Sequence, residues 1–191
     1  ENSAAATNVG TVVASDVDAG HTAALAFSIV TQRPQDWFSV TAAGALRVAT
    51  GANSVFTLNH ESLNNTASVT VRVTDPGGLA FDREVTISIT DVNEAPIFPF
   101  ANVSITEQSP AGTLINPRLL GEDVDSYDIG RLTYAIIGGN ADGQFNITAD
   151  GQLALATASP VFNAGNPKIW SLTIRVTDLG GLTGTGTTQV N

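Results

Sequence analysis

Across residues 69–74 apolar and polar side chains alternate strictly, with Val69, Val71 and Val73 on one face and Thr70, Arg72 and Thr74 on the other. Val85, Ile87 and Ile89 repeat the pattern against Thr86, Ser88 and Thr90, and Trp170, Leu172, Ile174 and Val176 repeat it again. A period of two places each segment in a β-strand with one buried and one solvated face, the arrangement that antiparallel pairing allows. Pro76-Gly77-Gly78 and Gly180-Gly181 fall between such segments and predict turns. No stretch carries a helical period, so the chain is expected to be all-β.

The pattern also repeats on a longer scale. Residues 38–46 recur as 145–153, residues 72–79 as 175–182, and Asp16-Val17-Asp18 as Asp123-Val124-Asp125. Self-similarity of this kind marks an array of modules. With 191 residues, two units near 1–98 and 99–191 are expected. Each fits a seven-stranded, Greek-key, Ig-like β-sandwich. The offset between repeats is 107 residues at Phe38 and Phe145 but 103 at Arg72 and Arg175. The second repeat is therefore shortened opposite Leu58-Asn59-His60-Glu61 and lacks a carboxylate there.

Charge narrows the choice of partner. Eighteen acidic against eight basic residues give a net charge of −10, which argues against nucleic acid, whose binding needs Lys and Arg on phosphates. Multivalent cations are the natural counterpart. No apolar run approaches the roughly 20 residues that cross a bilayer, so membrane insertion by this stretch is not expected. The first residues lack a signal peptide's basic start and apolar run, and a chain that begins at Glu1 reads as a piece of something longer. With no cysteine, disulfides, zinc-thiolate sites and thiol nucleophiles are excluded.

The densest chemistry lies mid-chain, where Asp91-Val92-Asn93-Glu94-Ala95-Pro96 packs three side-chain oxygen donors into four residues before a proline. Together with Glu1-Asn2, Asp16-Val17-Asp18, Leu58-Asn59-His60-Glu61 and Val73-Thr74-Asp75, and then Glu107, Asp123-Val124-Asp125 and Asp178, it forms an ordered series that runs nearly twice. In this order and spacing the chain resembles a pair of cadherin repeats, most like the cadherin-like repeats of bacterial surface and secreted proteins. The resemblance implies calcium. Such an ion takes six to eight hard oxygens at about 2.3–2.6 Å, more than one short loop of a rigid sandwich easily supplies.

By the same resemblance, Glu1, Asn59, Glu61, Asp91 and Glu94, with the carbonyl of Val92, would serve ions of the first repeat, and Asp125 would share them. Asn93, Asp123, Asp125 and Asp178, with carbonyls of Ala95 and near Ile129, would hold an ion of the second. Asp16, Asp18 and Asp75 would form a metal half-site completed by a preceding repeat. Two or three calcium ions are expected. Asn59 stands where the family has Asp, Glu94 replaces Asp and Ala95 replaces Asn, so the outermost ion has the weakest shell.

Other chemistry is thin. An isolated Asp-x-Asp is most often a solvated turn, because Asp bonds its own backbone there; the ordered double series outweighs that reading. Asp123-Val124-Asp125-Ser126-Tyr127-Asp128 lacks the spacing and closing Glu of an EF-hand. His21 and His60 have no nucleophile motif beside them and read as surface residues, and Gly184-Thr185-Gly186 lacks the Gly-Lys of a phosphate loop. Catalysis is not expected. Phe38 and Val40 should face the core and turn Trp37 outward, where it could contact a ligand. The functional expectation is an extracellular or cell-surface doublet, rigidified by calcium, that acts in adhesion or as a spacer and contacts another copy of itself. The alternative is calcium-dependent binding of a polysaccharide through Trp37.

Overall fold

In a computed structural model the chain forms two units, Glu1–Val92 and Asn93–Asn191. The structure describes residues 1–18, 20–34, 36–49, 60–61, 65–158 and 168–191.

In the first unit the described strands are β1 (Asn8–Thr11), β2 (Ala26–Arg33), β3 (Phe38–Val40), β4 (Ala45–Val48), β5 (Thr66–Thr74) and β6 (Ala80–Ser88). They pair antiparallel in two sheets, β1-β4-β3 and β2-β5-β6. The alternation of residues 69–74 and 85–89 resolves as expected. Val69 and Val71 are buried with Ile87 and Ile89, and they meet Phe38 and Leu46 of the other sheet in one core. Two sheets that share a core in this way form a sandwich.

The second unit carries seven strands: β7 (Ala101–Val103), β8 (Leu114–Ile115), β9 (Thr133–Gly138), β10 (Phe145–Ile147), β11 (Leu153–Leu155), β12 (Trp170–Thr177) and β13 (Thr183–Val190). One sheet runs β10-β11-β8 and the other β7-β13-β12-β9, with β7 parallel to β13. Trp170, Leu172, Ile174 and Val176 all point inward, toward Ile115, Phe145, Leu153 and Leu155 of the facing sheet. Trp170 meets Phe145 edge-on at 5.2 Å between ring centroids, a geometry that the ring quadrupoles favour.

The repeat is structural as well as sequential. In the β5–β6 hairpin Asp75 Oδ1 accepts the Leu79 N–H at 2.8 Å, and in the β12–β13 hairpin Asp178 Oδ1 accepts the Leu182 N–H at 2.8 Å. Each turn needs a positive φ, +89° at Gly78 and +92° at Gly181, which glycine adopts without steric cost.

The stretch 93–98 packs with the second unit, whereas the repeat pattern placed the division after residue 98. Ile97 exchanges two backbone hydrogen bonds with Glu122, 2.8 and 2.9 Å, and Phe98 is 6% exposed within the second core. Glycines on β13 admit this stretch: a Cβ on Gly184 would stand 1.9 Å from the Pro96 carbonyl oxygen, and one on Gly186 2.2 Å from that of Phe98.

Trp37 also differs from expectation. It is half-buried and packs against the first core. The alternation rule assumes a strand on both sides of a residue, but β3 begins only at Phe38. At a strand end a large ring can fold over the rim of the core and remove its apolar face from water.

Candidate metal centre

Each unit gathers part of the expected donor set. In the first, the backbone nitrogen of Glu1 donates to the Thr90 carbonyl at 2.8 Å. Its carboxylate accepts the N–H groups of His60 and Val92 at 2.8 and 2.6 Å. Partial burial opposes ionisation of Glu1, but those two backbone bonds, together with the positive charges of the terminal amine and His60, prevail, and the carboxyl titrates below the usual carboxylate range. His60 Nδ1 lies 3.2 Å from Glu61 Oε1 and 3.7 Å from Asp91 Oδ1. The second oxygen of Glu61 is buried without a hydrogen-bond partner among the described residues. Asn59 lies outside the described residues.

In the second unit, the loop before β9 and the β12–β13 turn bring four carboxylates together. Asp123 Oδ1 accepts the Asp125 N–H at 3.0 Å, Asp125 Oδ2 accepts the Glu94 N–H at 3.0 Å, and Asp178 Oδ2 accepts from the Asn93 amide at 2.8 Å. Asp128, which sequence reasoning used only to reject an EF-hand, is 3% exposed and accepts the Leu179 N–H at 2.8 Å. Asp125 and Asp178 are each 6% exposed. Ala95 and Ile129, expected to offer carbonyls, are exposed, as is Val92.

The electrostatics of this group are unbalanced. Asp123 Oδ2 and Asp125 Oδ1 are buried without a hydrogen-bond partner among the described residues. Burial pushes the Asp123 carboxyl above the usual carboxylate range; the Asp125 N–H pulls the other way, and the charges of Asp125, Asp128 and Asp178 add to the rise. A group of buried anions with lone pairs unused is costly unless a cation is supplied.

Asp123→Asn keeps an acceptor for the Asp125 N–H and removes one charge. With metal chelated at neutral pH it is expected to raise the melting temperature of the second unit, because one of the unbalanced buried charges is gone. A raised carboxyl costs the folded state in full above its folded pKa and nothing below its unfolded pKa. The stabilisation by Asp123→Asn should therefore shrink as pH falls through the folded pKa of Asp123 toward the ordinary carboxylate range. Thermal melts of both proteins in chelator across that range check the sign and its pH dependence.

Asp16, Asp18 and Asp75 assemble in the first unit as their counterparts do in the second. Asp16 Oδ1 accepts the Asp18 N–H at 2.8 Å, and Asp16 and Asp75 lie with His21 in one cluster of potential ligands. His21 and His60 are thus half-buried members of acidic clusters, not isolated surface residues. A repeat comparison could have found His21, because the 107-residue offset sets it on Asp128.

Residues 101–191 match the family model "Cadherin domain". Over its whole length the chain is 29% identical to human Protocadherin Fat 4. Mouse cadherin-23 EC22-24 aligns with all of the chain at a TM-score of 0.71 and 25% identity, and the chain covers 59% of it. Human protocadherin-24 EC1-2 aligns with 95% of the chain at a TM-score of 0.71 and 26% identity, and the chain covers 86% of it. The chain spans only 4% of Protocadherin Fat 4. All three are animal proteins, and they add nothing to the bacterial side of the resemblance. The architecture is that of tandem Ig-like β-sandwiches of the cadherin type, with the cadherin domain model matching the second.

Proposed function

We propose that the chain is a calcium-binding cadherin doublet from an extracellular or cell-surface protein, acting in adhesion or as a spacer and not in catalysis. The observation that carries this reading is the second unit's acidic group, in which buried Asp123 and Asp125 oxygens have no hydrogen-bond partner among the described residues while Asp128 and Asp178 add their charges nearby. Hard carboxylate and amide oxygens are the ligands calcium prefers. In the first unit Glu1, Glu61 and Asp91, with Asn59 by resemblance, would serve further ions, for two or three in all.

The linker explains why two sets would matter. Asp91 belongs to the first unit's donors, while Asn93 and Glu94 contact Asp178 and Asp125 of the second. Ions in both sets would fasten the chain on either side of Val92 and remove the freedom of the connection. Adhesive contact with another copy of the chain is part of the proposal. Trp37, on which polysaccharide binding rested, packs against the first core and gives that alternative no support.

Calorimetric titration with calcium tests the reading. Two or three ions are expected at the roughly 10⁻⁴–10⁻³ M affinity of extracellular modules, with at least one lost in Asp125→Asn. An absence of saturable binding at millimolar calcium would refute it.

A further inference from the structure

In both units an Asp-x-Asp loop stands with an Asp-led hairpin turn, and one of the exchanges between the two sets is paired. Asp16, Asp18 and Asp75 correspond to Asp123, Asp125 and Asp178, and the position of buried Asp128 is held by His21. In the second unit Asp128 accepts the N–H of Leu179. The residue corresponding to Leu179 is Pro76, which has no N–H to give. Acceptor and donor have changed together, and the structural bond that occupies Asp128 has no counterpart. His21 Nδ1 is buried without a hydrogen-bond partner among the described residues, 3.8 Å from Asp18 Oδ2.

The remaining groups are arranged as ligands. One ligand atom each from Asp16, His21 and Asp75 lies within 4.8 Å of the others. The Asp18 and Leu79 N–H groups each occupy one oxygen of Asp16 and Asp75, which among the described residues leaves the second oxygen of each carboxylate. The loop is fastened around them, since Thr22 Oγ1 accepts the Asp16 N–H at 2.9 Å and donates to the Asp16 carbonyl at 3.1 Å. The His21 side chain is 33% exposed, so a cation can enter.

An imidazole in this place changes the metal. Calcium takes oxygen almost exclusively, whereas zinc accepts neutral imidazole nitrogen at about 2.0–2.1 Å beside carboxylate oxygen at about 2.0–2.2 Å. We infer that Asp16, His21 and Asp75 form a mixed nitrogen–oxygen site for a borderline divalent cation of the zinc class, with a fourth position open to water or to a partner's side chain. Two bonds of about 2.1 Å at a tetrahedral angle hold their ligand atoms near 3.4 Å apart, so side-chain rotation must draw the three donors together. The second unit, with Asp128 in place of His21, offers oxygen alone. This inference is independent of calcium binding at the other donors.

The test is titration of the full chain with zinc chloride in saturating calcium, followed by calorimetry and by the imidazole nitrogen shifts of His21 and His60. One zinc per chain at about micromolar affinity is expected, with the His21 resonance moving. His21→Gln should weaken it by at least about tenfold, the scale of losing a ligand-sphere contact, while His60→Gln leaves it unchanged. His21→Asp, which installs the residue the second unit already folds with, should abolish the zinc preference with the melting transition retained. Equal zinc affinity in His21→Gln, or loss of zinc in His60→Gln instead, overturns the assignment, as does an absence of binding. Calcium stoichiometry in the same samples reports on the calcium reading separately.

Discussion

Ile174→Ala is expected to cost the second unit about 2–5 kcal/mol and to leave the first unit's transition in place. Ile174 is fully buried at the centre of β12, opposite Gly186 on β13 and Ile136 on β9. With glycine as one neighbour, few side chains can move into the space vacated. Truncation of a buried isoleucine removes transfer energy and leaves a cavity, and the loss falls in that range when the site cannot collapse. The counterpart position in the first unit is Val71, also buried, so Val71→Ala should act on the other transition. The chain's two tryptophans allow the units to be followed apart, since Trp170 lies in the second core and Trp37 packs against the first. Urea denaturation monitored by fluorescence should show one transition moving. Equal shifts in both would mean that the units unfold as one cooperative body.

Removal of calcium is expected to change motion far more than stability. Millimolar ion at sites of about 10⁻⁴–10⁻³ M contributes only about 1 kcal/mol each, a shift of several degrees for a unit of this size. The link between units is another matter, because Asp91 on one side of Val92 and Asn93 and Glu94 on the other would all lose their ion. Carboxylates such as Asp123, Asp125 and Asp178 would then repel one another without a counter-charge. Solution scattering and spin-label distances between the units should show a broad distribution in chelator and a narrow one in calcium. Identical distributions in the two conditions would sink the rigidifying role. High monovalent salt should mimic calcium poorly, because it screens repulsion without bridging ligands.

Much of the fold could be read from two periods in the sequence. The two-residue alternation located β5, β6 and β12 and assigned their inward faces, because a sandwich strand with one wet side must alternate. The repeats at 107 and 103 residues aligned the Asp-x-Asp loops and the Asp75 and Asp178 turns. Three things were hidden. Trp37 lies just before β3, where alternation no longer dictates direction. Phe98 belongs to the second core through contacts with residues distant in sequence, which no local pattern reports. Asp128 and His21 escaped because each is the third acidic or basic group of a loop whose first two members fit a familiar motif. Their importance depends on a backbone N–H, at Leu179 and missing at Pro76, that comes from the far end of another hairpin.

The bare glycines of β13 carry a consequence for where this chain can be divided. Gly184 and Gly186 leave a furrow in the strand, and the backbone at Pro96 and Phe98 fills it, with the Phe98 ring set against Tyr134 at 6.4 Å. The connecting segment is thus both tether and wall: what ties the second unit to its neighbour also closes its core. Cleavage after Phe98 would take away a piece of the interior, whereas cleavage at Asn93 would leave the second unit whole. Any force pulling along the connection is therefore borne by a seated part of the second sandwich, not by a free string.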